Sequence, residues 1–249
     1  MRKLLRTKDR ILIALSLLGD AALYAYVKGS GWRKGSFFDF LDIRKSVFQA
    51  SVWRSLKTGD IEKVIKNGQP CFRITSGGKN YLTRIFPIYR LADSAWDRKW
   101  RVVIFDIPEI DKKAREHLRQ KLVSLGFGKL QKSVYVSPLD VLADLEEYLL
   151  ALHLYGRVIV FEAKEVFVKD QRLVANFVWK LDKLNERYLA LMGRIYRQDE
   201  FSPREWGKEA KKIKEDFFQI LLDDPFLPKE LLPENWAGGT ARVLIAKLI

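Results

Sequence analysis

Between Trp100 and Phe161 the hydrophobic period alternates between strand and helix, and the order of the changes leaves few folds open. Trp100-Arg101-Val102-Val103-Ile104-Phe105 is a short apolar run with few polar breaks, which predicts a strand buried on both faces. Lys112–Leu125 then carries Ala114, Leu118, Leu122 and Leu125 at helical spacing, and Gly126 and Gly128 end the run. Two short strands follow, around Lys129–Gln131 and Val134–Ser137. Leu139–Leu152 is a second amphipathic helix and Arg157–Phe161 a last strand. The order β-α-β-β-α-β is the split ferredoxin-like unit.

The residues before this segment read differently. Arg10–Leu18 and Asp20–Lys28 look like two helices broken near Gly19, with Asp20 as an N-cap. Arg33 and Lys34 sit in a basic loop after Gly29-Ser30-Gly31. Arg44–Thr58 repeats Phe48, Val52 and Leu56 every four residues, with Ser46, Ala50, Arg54 and Lys57 on the opposite side of the wheel, and Gly59 stops it. Ile61–Lys66 and Pro70–Thr75 flank Asn67-Gly68, the strongest short hairpin signal, and Lys63, Lys66 and Arg73 decorate it. Helix, helix, basic-faced helix and basic hairpin is the order of a winged helix-turn-helix. An ordinary small α+β domain with a wet basic side has the same pattern. Tyr81–Arg98 reads as a connecting helix or linker, with Ser76-Gly77-Gly78-Lys79 leading into it.

Charge discriminates between those alternatives. Residues 1–90 hold 18 Lys/Arg against six Asp/Glu, a net of +12, whereas the remaining 159 residues hold 27 against 25. A field that concentrated attracts a polyanion over a Debye length of ~10 Å and anchors one end of the molecule to it. Double-stranded DNA is the partner expected, ahead of an anionic membrane or a merely solvated face. A helix laid in the major groove needs an outward face of small and basic side chains. A basic hairpin can grip the adjacent backbone, fixing register without reading sequence.

The rest of the chain is helical in pattern. Leu173, Phe177, Leu181, Leu184, Tyr188 and Leu191 predict one helix of about 27 residues by their 3.6-residue spacing. Ser202-Pro203 opens another, which carries Trp206, Ile213, Phe217 and Leu221 and ends at Asp224-Pro225. The expected architecture is α+β: a winged helix-turn-helix over 1–90, a ferredoxin-like domain over 91–169 and a mostly helical domain over 170–249. The single Cys71 leaves no internal disulfide and no cysteine-built zinc cluster, which suits a reducing cytoplasm. The early apolar run Ile11–Gly19 falls far short of the ~20 residues that span a bilayer. It is read as a buried helix of a cytoplasmic protein.

Two stretches carry a family resemblance. Trp100–Glu109, Arg115, Leu118-Arg119 and Leu125–Pro138 resemble the central domain of PaaX-type transcriptional repressors, itself similar to the ferredoxin-like endonuclease of CRISPR adaptation. Asp224–Gly239 (DPFLPKELLPENWAGG) resembles the C-terminal signature of the same repressors. The resemblance implies a homodimeric repressor whose winged helices grip an operator. Its central and C-terminal domains would build the dimer and a sensing surface. The best-known members release DNA on binding the coenzyme A thioester of phenylacetate. No segment here identifies that pocket, so a small-molecule effector is left without an identity. The chain departs from the family in Gly29–Asp42, which is longer and richer in aromatics than a tight helix-turn-helix connection.

The residues expected at DNA are Arg33, Lys34, Lys45, Ser46, Gln49, Ala50, Arg54 and Lys57, with Lys63, Lys66 and Arg73 on the wing. The alternative is a Mg²⁺-dependent endonuclease using Asp106, a strand-end carboxylate suited to a hard cation. One carboxylate per chain is a thin site for two-metal chemistry. Asp106 serves equally as a cap of the following turn. His117, His153 and Cys71 have no partner at a suggestive spacing and are read as structural, and no phosphate-cradling loop or cofactor motif is present. Trp96 and Trp100 could stack on a ligand or base, but are read as a core contact.

Overall fold

Residues 6–19, 21–22, 43–66, 68–85, 95–164 and 170–248 are described by the computed structural model of the chain, an α+β protein. Helix α1 (Thr7–Leu18) holds Ile11, Leu12, Ile13, Ala14 and Leu15 in succession, each at most 2% exposed, so it is covered on every side. Asp9 caps its first turn by accepting the Arg6 amide at 3.1 Å, and its other oxygen accepts the Tyr81 hydroxyl at 2.8 Å. Burial and that carboxylate push the Tyr81 phenol up to about 12.

Gly19 ends α1 with φ +81, and the chain does not start a second helix. Ala21–Ala22 instead forms β1, antiparallel to Phe72 and Cys71. The left-handed glycine turns the backbone onto an open strand edge whose N–H and C=O groups want partners. The remainder of the expected second helix lies outside the described residues. Helix α2 (Lys45–Lys57) precedes the hairpin of β2 (Ile61–Lys66) and β3 (Gln69–Ile74), giving a sheet of order β1-β3-β2.

Helix α3 (Ser76–Ile85) begins earlier than its Tyr81 pattern suggests. Thr75 supplies the reason: its Oγ1 accepts the Gly78 amide at 3.1 Å, an N-cap that recruits Ser76-Gly77-Gly78-Lys79 into the first turn. A Cβ on Gly78 would lie 2.1 Å from the Asp60 carbonyl oxygen, whereas one on Gly77 meets nothing nearer than 3.4 Å. Gly78→Ala is therefore expected to cost about 1–3 kcal/mol through backbone displacement. Gly77→Ala should be neutral or raise stability by up to about 1 kcal/mol. Urea unfolding of the two variants checks the contrast, and equal midpoints would refute it.

The second sheet contains β4 (Trp100–Phe105), β5 (Gly128–Gln131), β6 (Val134–Ser137) and β7 (Val158–Ala163) in the antiparallel order β5-β6-β4-β7. Helices α4 (Lys112–Ser124) and α5 (Leu142–Ala151) cover one face, where Leu118, Leu122, Leu145 and Leu149 pack on Val103, Phe105 and Tyr135. Trp100 points to the other face, fully buried, with Trp179 of α6 (Gln171–Trp179) stacked at 6.2 Å and its Nε1 donating to Gln171 at 2.7 Å. Trp96 meets it edge-on at 5.7 Å, so the two tryptophans make a core contact.

Arg101, the one charge in this strand, is 1% exposed. Its guanidinium donates to both Asp97 oxygens at 2.9 and 2.6 Å and stands 3.3 Å from Glu162 and 3.5 Å from Asp140. A buried arginine persists where several acceptors surround it. Those hydrogen bonds hold the Asp97 carboxyl below its ordinary value.

The predicted helix of about 27 residues is two. α6 stops at Trp179, Lys180 takes φ +57, and α7 (Leu181–Tyr196) starts afresh, with Asn176 Oδ1 accepting the Asp182 amide at 3.0 Å. α8 (Pro203–Asp223) opens on a capping box, Glu205 accepting the Ser202 amide at 3.1 Å and returning its own to Ser202 Oγ at 3.4 Å. The buried Tyr188 hydroxyl donates to Asp224 at 2.7 Å, and α9 (Gly238–Lys247) closes the chain. The described residues of Thr83–Lys183 and Pro225–Asn235 form one compact unit, and those of Leu4–Leu82, Leu184–Asp224 and Trp236–Ile249 a second. Among the described residues no helix is long and apolar enough to cross a membrane.

Candidate nucleic-acid interface

Helix α2 is oriented by what it buries. Phe48, Ser51, Val52 and Ser55 face inward, which turns Lys45, Ser46, Ala50, Arg54 and Lys57 outward into solvent and leaves Gln49 half-buried. No acidic residue interrupts Arg44–Gly59. Arg54 and Lys57 occupy the last turn, where the helix dipole favours cations. Arg54 Nε donates to the Ala50 carbonyl at 3.2 Å, so its side chain runs back along the helix. Thr58 donates its amide to Arg54 O at 2.9 Å, and Gly59, at φ +73, releases the chain toward β2.

Two outward side chains escaped the sequence reading. Trp53 is 57% exposed and Val47 43% exposed, and the Lys57 ammonium lies 5.5 Å from the Trp53 ring centroid. The signal for Trp53 was its position: it falls out of phase with the Phe48–Val52–Leu56 stripe, one helical turn from both Ala50 and Lys57.

The hairpin divides its cations. Register sets Glu62 opposite Arg73, Lys63 opposite Phe72 and Lys66 opposite Gln69. Strand alternation therefore places Lys66 and Arg73 on one face and Lys63 on the other, beside Ile65, which is 73% exposed. All three cations are exposed, but they do not form one patch. Gly68 supplies the positive φ, +72, that the turn requires. Arg33 and Lys34 lie outside the described residues.

Asp106 is exposed just beyond β4, and its amide donates to the Arg157 carbonyl at 3.0 Å. The neighbouring acids are engaged: Glu109 lies 3.4 Å from Arg115, and Asp111 accepts from Arg157. Among the described residues no group of three or more His, Cys, Asp and Glu is placed to hold a metal ion. His117 and His153 are exposed on α4 and just after α5, and Cys71 is buried in β3.

Comparison with known proteins gives three results. Residues 93–175 match the family model of the PaaX protein central Cas2-like domain, and residues 179–249 match that of the PaaX-like protein C-terminal domain. Transcriptional repressor PaaX of Escherichia coli (strain K12) is 31% identical over 169 residues, which is 63% of this chain and 52% of that protein. The chain thus spans about half the length of the curated relative it matches. A solved structure of an uncharacterised protein from Mycobacterium tuberculosis superposes with a TM-score of 0.52 over 95% of this chain and 92% of the other, at 22% identity. That likeness is one of fold.

Proposed function

We propose, from the premise that this chain belongs to the PaaX family by both its central and its C-terminal domain, that it is a DNA-binding transcriptional repressor. The observation that carries the reading is α2, an exposed face with basic residues and no acidic one, followed directly by a basic hairpin. The repressor name of the Escherichia coli relative supports it and favours it over a nuclease acting through Asp106.

Topology supports a finer architecture. A helix, a short strand, α2 and a two-stranded hairpin, with sheet order β1-β3-β2, support a winged helix-turn-helix over residues 1–90. Here α2 is the recognition helix and β2-β3 the wing. The order β5-β6-β4-β7, with α4 and α5 on one face, supports a ferredoxin-like domain over 91–169. Residues 170–249 form the helical C-terminal domain. Lys45, Ser46, Gln49, Ala50, Arg54 and Lys57 meet the groove and its phosphates. Lys63, Lys66 and Arg73 sit on the wing, and Arg33 and Lys34 add to the contact surface. Dimerisation would pair two recognition helices, and a small effector would release them.

Selection of bound DNA from a random pool by the full-length chain tests the assignment. The expected product is a (pseudo)palindromic consensus with half-sites about one helical turn, or a multiple of it, apart. Recovery of no consensus would remove the sequence-specific reading.

A further inference from the structure

The outermost line of α2 is not its most basic one. Opposite the buried Phe48, Ser51, Val52 and Ser55, the positions at successive turns are Ser46, Ala50, Trp53 and Lys57. Arg54, Lys45 and Val47 flank that line. Its centre is therefore apolar: a methyl group at Ala50 and a 57% exposed indole at Trp53, with the Lys57 ammonium 5.5 Å from the ring centroid.

A helix in the major groove aims its outermost line at base edges and its flanks at phosphates. Ala50 offers no hydrogen-bonding group, and an indole offers a single donor and no acceptor. Neither can make the bidentate contacts that single out guanine or adenine. The groove feature that apolar side chains recognise is the thymine 5-methyl group.

We infer that α2 reads thymine methyl groups through Ala50 and Trp53, so that thymines stand at the centre of each half-site. This rests on the DNA-binding reading above and names the bases it prefers. Ser46, able to donate or accept, and Lys57, a donor, bracket the apolar centre and fix where along the half-site it falls. Among the described residues of 1–90, α2 combines an exposed indole with a basic surround. The charged flanks make a nucleic acid a better occupant of this face than an apolar protein groove.

Replacing each thymine of the selected site by deoxyuridine removes only the methyl group. The full-length chain should then bind more weakly, by roughly fourfold for each methyl it buries. Trp53→Ala should weaken binding to the thymine site and become indifferent to thymine or uracil at one position per half-site. The exposed position makes loss of folding an inadequate explanation, and an unchanged circular dichroism spectrum records that.

Equal affinity for the thymine and uracil sites overturns the inference while leaving the regulator reading intact. Trp53→Ala that binds like the parent chain overturns it too, and marks the indole as a contact for something other than DNA. A chain that holds no DNA at all loses both readings together.

Discussion

Arg54→Ala combined with Lys57→Ala should weaken operator binding and flatten its dependence on salt. Each lysine or arginine at a phosphate releases condensed counterions, so log K falls against log salt with a slope near −0.9 per contact. If six to ten phosphates are neutralised per dimer, affinity drops roughly 10³–10⁵ between 50 and 200 mM salt. The double substitution would remove four contacts from such a dimer, so the same rise in salt should cost about a hundredfold less affinity than it costs the parent. Both side chains are exposed, and their loss leaves Phe48 and Val52 seated. Fluorescence anisotropy on labelled operator over a salt series supplies the measurement. An unchanged slope removes α2 from the DNA interface.

Trp100→Ala should be the most destabilising single truncation in the second sheet. The indole is fully buried, holds Trp179 at 6.2 Å and Trp96 at 5.7 Å, and donates to Gln171. Removing it deletes the stack that joins β4 to α6 and leaves the Gln171 amide oxygen without that donor. Truncations of this kind cost about 3–5 kcal/mol, because the surroundings collapse only partly into the cavity. That corresponds to a midpoint lowered by roughly 6–20 °C for a protein of this size. The collapse is hindered here by Gly128, whose missing Cβ already lets Val178 and Trp179 approach the sheet closely. Trp100→Phe, which keeps a ring but not the donor, should lose about half as much. Thermal unfolding followed by tryptophan fluorescence and by far-ultraviolet dichroism checks both. A loss under about 1 kcal/mol for Trp100→Ala would show that α6 holds its place without the stack.

The segments most legible in the sequence are those where a long period and a clear stop coincide. Lys112–Ser124 and Lys45–Lys57 have apolar stripes several turns long and glycines just beyond, so the helices sit where the pattern puts them. The hairpin was legible because Asn67-Gly68 names its own turn. Ala21–Ala22 was not, since two alanines carry no period and join the sheet only because β3 has a free edge. The break at Lys180 was hidden for a subtler reason. Leu173 and Phe177 keep helical spacing with Leu181, Leu184 and Tyr188, yet they are 59% and 60% exposed while the latter three are buried. Spacing survives across the break, but the face does not, and only burial distinguishes the two. At the candidate site the charges were legible and the indole was not, because composition draws attention to lysine and arginine rather than to the aromatic between them.

The described residues of Leu4–Leu82 share their compact unit with Leu184–Asp224 and Trp236–Ile249, and α1, whose Ile11–Leu15 are all buried, packs against α9 at the far end of the chain. A ribosome therefore releases α1 long before the last part of its cover, α9, exists. At about 5–20 residues per second, the interval between Leu82 and Trp236 lasts roughly 8–30 s. Throughout that time Ile11–Leu15 has only α2 and β3 to cover it, and the side that α9 closes stays open. Chains halted early should consequently be prime clients for chaperones and proteases. Premature stop codons in the last helix should impair residues of α2 at least 181 positions upstream.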